Sequence, residues 1–143
     1  VVFIIILAQN NTGKMKEIEF ILYVKDQSKS KDFYTKLFCM EPMLDVPGMT
    51  EFALSENVKL GLIPESGIVK ILQDKTPDPS SGNGIPRCEL YLKITDIEKY
   101  SKNAVDAGAL IISEVAPREW GDLVCYFADP DGHVIAFAET IVR

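Results

Sequence analysis

One alternating stretch occurs twice in this chain. Ile18-Glu19-Phe20-Ile21-Leu22-Tyr23-Val24-Lys25-Asp26 is matched by Cys88-Glu89-Leu90-Tyr91-Leu92-Lys93-Ile94-Thr95-Asp96, so Glu19 falls on Glu89, Tyr23 on Lys93, Val24 on Ile94 and Asp26 on Asp96. Alternation at period two is the pattern of a strand with two different faces. The Asp that closes each stretch can accept a hydrogen bond from the first turn of a following helix. A chain built this way folds as two copies of one unit that begins with a strand and a helix.

The residues after each Asp continue the duplication. Segment 28–38 gathers Phe33, Leu37 and Phe38 on one helical face, with Tyr34 at its margin, and Pro42 stops it. After Asp96, the residues Ile97, Tyr100, Ala104, Val105 and Ala107 describe a second amphipathic helix that ends at Gly108. Three short strands are predicted behind each helix, at 41–46, 51–55 and 58–63 and at 109–115, 122–128 and 134–140. Pro47-Gly48, Glu56-Asn57, Pro117 and Asp129-Pro130-Asp131-Gly132 punctuate them. The expectation is an α+β fold of two tandem βαβββ units, 15–63 and 87–143, forming a curved mixed-sheet cleft. Residues 64–86, rich in Pro, Gly and Ser, serve as connector, with the part around 67–72 ordered against the sheet or a partner. A four-stranded sheet with one helix leaves its other face uncovered, so two such units gain by pairing.

At 143 residues, 47% of them hydrophobic, the chain can bury a core without disulfides or a structural metal. Its 15 basic and 21 acidic residues give a net charge of -6, and no concentrated basic patch interrupts them, which argues against nucleic-acid binding. Three cysteines, Cys39, Cys88 and Cys125, form no close pair, so a reducing, cytoplasmic compartment is expected. The longest apolar run, residues 1–8, is too short for a membrane span and lacks the basic start of a secretion signal. Residues 1–14 are read as an appendage to the fold: an extra strand, an interface arm or an upstream translated segment.

With Ser30-Lys31-Asp32-Phe33-Tyr34-Thr35-Lys36-Leu37-Phe38, Trp120-Gly121 and Phe127-Ala128-Asp129-Pro130-Asp131-Gly132-His133 in this order around the duplicated strands, the chain resembles the vicinal oxygen chelate superfamily over residues 17–140. That group contains glyoxalase I, extradiol dioxygenases, fosfomycin-resistance enzymes and bleomycin-binding proteins. Its enzymes commonly hold one metal with four side chains from the first and last strands of each repeat. The resemblance places those positions on Glu19, Gly61, Glu89 and Ala136. Two of the four offer no donor, while a transition-metal centre normally wants three or more. No metal and no cofactor are therefore expected. His133, the sole His, is read as a turn residue.

Alternation puts Glu19, Ile21 and Tyr23 on one face of the first strand and Glu89, Tyr91 and Lys93 on the matching face of the fifth. Lys59, Gly61, Ile63, Val134, Ala136 and Ala138 join them from the last strands. The resemblance implies that these faces look into a cleft. Phe20, Leu22, Val24, Leu90, Leu92, Ile94 and Cys88 take the helix side as core. Two cleft carboxylates could divide acid and base roles, which makes Glu19 and Glu89 the catalytic candidates. They could equally pair with Lys59 and Lys93. Tyr23, Tyr91 and Trp120 could stack on a flat or cationic ligand, giving Tyr23, Lys59, Gly61, Tyr91, Lys93, Trp120 and Ala136 as the ligand-binding set. Arg118 could anchor an anion or take an ion pair. One reading is a metal-independent protein that binds a small cationic or aromatic compound in a cleft shared across a homodimer. Others are a lyase or isomerase that uses the cleft carboxylates, or a small-molecule sensor or structural partner.

Overall fold

The computed structural model describes residues 13–142. Most of the expected appendage thus lies outside the described residues. The first unit runs β1 (Ile18–Val24), α1 (Gln27–Phe38), β2 (Leu44–Val46), β3 (Met49–Ser55) and β4 (Val58–Pro64). Helix α2 (Glu65–Leu72) and two single-turn 3-10 segments, Gln73–Lys75 and Pro79–Gly82, lead to the second unit. That unit comprises β5 (Glu89–Lys93), α3 (Ile97–Asp106), β6 (Leu110–Pro117), β7 (Asp122–Ala128) and β8 (Val134–Thr140). Two four-stranded mixed sheets result, ordered β1-β4-β3-β2 and β5-β8-β7-β6. In each, the first strand lies parallel to the last, and the remaining pairs are antiparallel. The α+β expectation of two tandem βαβββ units holds.

Local chemistry explains the repeat. Asp26 accepts from the Lys29 amide at 3.0 Å and Asp96 from the Lys99 amide at 3.2 Å, so both aspartates cap their helices. Helix α1 ends before Pro42 can act, because Cys39 already takes the left-handed conformation at φ 51°. Helix α3 ends at Gly108, whose φ of 84° suits glycine. No helix among the described residues is long and apolar enough to cross a membrane.

The two units share one core on their helix sides. Leu22, Val24, Phe52, Leu60 and Leu62 from the first sheet and Leu90, Cys125, Phe127, Ile135 and Phe137 from the second pack in one cluster with Phe33, Tyr34, Leu37, Phe38 and Ala104 of the helices. Polar bonds close the joint. The buried Tyr34 hydroxyl donates to Asp129 Oδ2 at 2.6 Å, and the Asn103 amide donates to the Leu37 carbonyl at 3.3 Å. Asp129 Oδ1 accepts the backbone N–H groups of Asp131 and His133, and Asp131 Oδ1 accepts the Lys25 N–H. His133 Nε2 lies 3.1 Å from the Tyr23 carbonyl, placing the turn residue of the second unit against the end of β1. Burial pushes both Tyr34 and Asp129 above their ordinary pKa ranges, and in Asp129 the tyrosine hydrogen bond opposes that rise.

Two expectations of burial fail. Phe20 is 49% exposed and Cys88 is exposed, although both have the helix-side parity. Burial on the helix side begins only at Leu22 and Leu90, so the start of β1 and the residue before β5 lie beyond it. The connector is also more regular than its composition suggests. Its segment Glu65–Leu72 is a helix that buries Ile68, a periodicity obscured in the sequence by Gly67 and by the brevity of the element.

The end of the connector lies against the β7–β8 turn, where a Cβ on Gly132 would meet the Gly84 carbonyl oxygen at 2.7 Å. Gly48 has a similar φ, +92° against +89°, but open space around it. Gly48→Ala is expected to cost about 1–2 kcal/mol for the left-handed backbone alone. Gly132→Ala should cost roughly 1–3 kcal/mol more, because backbone must also move. Urea unfolding of both variants measures the difference.

Candidate functional site

Each sheet has a second face, turned from the helices, and that face carries the predicted site residues. On the first sheet the register pairs Glu19 with Lys59, Ile21 with Gly61 and Tyr23 with Ile63, while Glu51 faces Gly61 from β3. Lys59 does not pair with Glu19. Its ammonium lies 3.0 Å from Glu17 and 3.4 Å from Glu51. Glu19 Oε1 is buried with no hydrogen-bond partner among the described residues, in the space a side chain at position 61 would fill: a Cβ on Gly61 would sit 2.6 Å from that oxygen. Loss of solvent, reinforced by the nearby Glu51 and Glu17 and opposed by Lys59, raises the Glu19 carboxyl above its ordinary pKa.

On the second sheet, cross-strand rows set Tyr91, Ala136, Tyr126 and Ser113 side by side, and beside them Lys93, Ala138, Val124 and Ala116. The small residues are buried between larger neighbours. Asp122, at the start of β7, is the centre of a polar chain. It accepts from the Tyr91 hydroxyl at 2.6 Å and from Lys93 Nζ at 2.6 Å, and Lys93 also donates to Thr140 Oγ1. Trp120 Nε1 donates to the Tyr91 oxygen at 2.8 Å. The Lys93 and Tyr91 hydrogen bonds hold Asp122 below the ordinary carboxylate range. Burial, then the Asp122 bond, raises the Tyr91 phenol. The indole is therefore fixed at its nitrogen while 60% of the residue stays exposed.

Of the predicted residues, Tyr91, Lys93 and Trp120 are brought together through Asp122, and Glu19, Gly61 and Lys59 meet on the other sheet. Glu89 stands exposed at the start of β5. Tyr23 is half-buried, and Ala136 is fully buried. No hydrogen bond or ion pair among the described residues joins Glu19 to Glu89 or one open face to the other. The expected Glu–Lys pairs are replaced by Lys59 with Glu17 and Glu51, and Lys93 with Asp122. Sequence reasoning missed Asp122, Glu51 and Thr140. Asp122 had a signal: it shares the parity of Val124 and Tyr126 in an otherwise apolar strand.

The four-donor metal centre implied by the resemblance does not fit these residues. Gly61 and Ala136 present no donor, and Glu19 Oε1 fills the space beside Gly61. Asp129, Asp131 and His133 place donor atoms within 4.8 Å of one another. Both Asp129 oxygens are already taken by backbone N–H groups and Tyr34, so that group serves as the clasp between the units. A recess of about 600 Å³ at the start of α1 is lined by Asp26, Ser30 and Asp131, whose polar atoms serve the helix cap and this clasp.

The sequence model of the Glyoxalase/Bleomycin resistance protein/Dioxygenase superfamily matches residues 17–137. An uncharacterised protein of Mycobacterium tuberculosis is 28% identical over 120 residues, covering 78% of this chain and 67% of its own. Among solved structures, a glyoxalase-related enzyme from Fulvimarina pelagi superposes with a TM-score of 0.75 at 18% identity, covering 89% of each chain. A glyoxalase/bleomycin resistance protein/dioxygenase family enzyme from Burkholderia phytofirmans gives 0.73 at 13% identity, over 86% of this chain and 97% of that one. At such identities the likeness is one of fold.

Glu19 gives a pH prediction. With its folded pKa raised, the group favours folding most at low pH, and that contribution is lost as pH rises through the folded value. Glu19→Gln should therefore melt at a higher temperature than the parent at pH 7. The gap should close as pH falls through the carboxylate range. Thermal melts of both proteins across that range provide the check.

Proposed function

The chain belongs to the Glyoxalase/Bleomycin resistance protein/Dioxygenase superfamily, and from that premise we propose that it binds a small planar aromatic compound without the four-donor metal centre. The observation that carries this reading is Trp120, largely exposed yet held at its indole Nε1 by Tyr91, which is itself anchored on Asp122. An aromatic surface that is already immobile loses little conformational entropy when a flat ligand stacks on it. Tyr91, at 38% exposure, extends the platform toward β5.

In this reading the cleft is shared across a homodimer in the cytoplasm, with the open face of the first unit on one protomer set against the open face of the second unit on its partner. Support comes from where the units are joined. Their helix sides are consumed by the common core, while the open faces keep large side chains such as Ile21 and Tyr91 exposed. Glu17, Glu19 and Glu51, against the single cation of Lys59, would favour a basic substituent at the first-sheet side.

A second reading rests on Glu19. A carboxyl whose pKa is raised and whose buried oxygen has no partner is suited to carry a proton, as an acid in a lyase or isomerase reaction would. Loss of turnover in Glu19→Gln with ligand affinity kept would select it.

Trp120 is the only tryptophan, so its emission reports the site directly. Titration with planar aromatic compounds should quench it saturably, without added divalent metal. Tyr91→Phe, which removes the acceptor of the indole N–H, should weaken binding about tenfold while the fold is kept. Absence of saturable quenching by every planar compound, or quenching that needs metal, would refute the reading.

A further inference from the structure

Arg118 is the one well-positioned side chain of the second open face that the foregoing leaves unexplained. It begins the tight turn between β6 and β7, where its N–H donates to the Asp122 carbonyl and its carbonyl accepts from Gly121. From there the side chain reaches back along the sheet. Its guanidinium carbon lies 5.3 Å from the centre of the Tyr126 ring, and Nη2 donates to Ser113 Oγ at 2.7 Å. Ser113 and Tyr126 are themselves cross-strand neighbours, so the head group is held from two sides.

Its charge, by contrast, is not answered. Lys31, Lys59, Lys93 and Lys102 all find carboxylates, whereas none of the ion pairs among the described residues includes Arg118. The residue is half-buried, and its Nε–H is buried with no acceptor among the described residues. Beyond the bond to Ser113, no acceptor among the described residues meets the outer N–H groups, which form a fork shaped for a planar oxyanion. In a chain of net charge -6, a fixed cation that meets no carboxylate among the described residues favours an anionic group from outside.

We infer that Arg118 anchors a carboxylate of the bound compound, so that the ligand class is an aromatic carboxylate: ring against Trp120 and Tyr91, acid on the guanidinium. The same turn, Arg118 to Gly121, delivers both groups, the cation toward β6 and β7 and the indole toward β5. This assignment rests on the stacking reading above and adds to it the charge that the ligand must carry.

Benzoate and its neutral amide, benzamide, test it as a matched pair in titrations of Trp120 emission. Benzoate should saturate at about tenfold lower concentration than benzamide in the parent protein. Arg118→Gln should erase that preference by weakening benzoate alone, and Arg118→Lys should retain part of it, with thermal melts confirming that each variant folds. Arg118→Lys decides the matter alone if the Gln variant does not fold, since the preference must then fall below the parent's. Equal binding of the two probes by the parent, or a benzoate preference that survives substitution of Arg118 undiminished, would overturn the anchor while leaving the stacking site in place. No quenching by either probe would overturn the assignment of an aromatic carboxylate, and absence of quenching by every planar compound would overturn the stacking reading with it.

Discussion

The hydrogen bond between Tyr34 and Asp129 lies in the joint on which the molecule depends. The helix of the first unit donates there to the β7–β8 turn of the second, inside a core to which both sheets contribute their helix-covered faces. A buried carboxylate is expensive unless its oxygens are filled, and Asp129 fills its own with a phenol and two backbone N–H groups. Asp131 and His133 extend the same clasp to Lys25 and Tyr23 at the end of β1. Two units that could each hide only half of a sheet thereby share one interior.

What that joint consumes determines what is left for function. With the helix sides spent, polar and aromatic chemistry gathers on the open faces, and the two faces differ. The first is acidic and holds Glu19 at a cost, its oxygen beside a glycine and without a partner among the described residues. The second is organised around Asp122, which accepts from Lys93 and from the Tyr91 that holds Trp120, while Arg118 is fixed across Tyr126 with no carboxylate partner among the described residues. Side chains held in this way would need little further ordering to meet the proposed ligand.

Much of this was legible from residue types and spacing. Period-two alternation assigned the correct strand faces throughout β1 and β5, and β7 and β8 fall on the expected spans, because one-residue errors would have turned apolar residues outward. Asp26 and Asp96 announced their helices. Partner choice was not legible. Lys59 and Lys93 took Glu17, Glu51 and Asp122 because those carboxylates lie within reach across strands or through a turn, a property of register rather than of spacing along the chain. Helix α2 was hidden by Gly67 and by a length too short to show a stripe, and the exposure of Phe20 and Cys88 depends on where the helices stop covering the sheets.

The claim that the helix-side joint leaves the open faces to be covered by a second copy is tested most directly by sedimentation equilibrium of the full chain over a wide concentration range, with solute quenching of Trp120 read in the same samples. The proposed arrangement predicts a two-copy mass, with the indole less accessible to a neutral quencher in the dimer than in the dilute single chain. A single-copy mass at every concentration, with the indole equally open throughout, would contradict it.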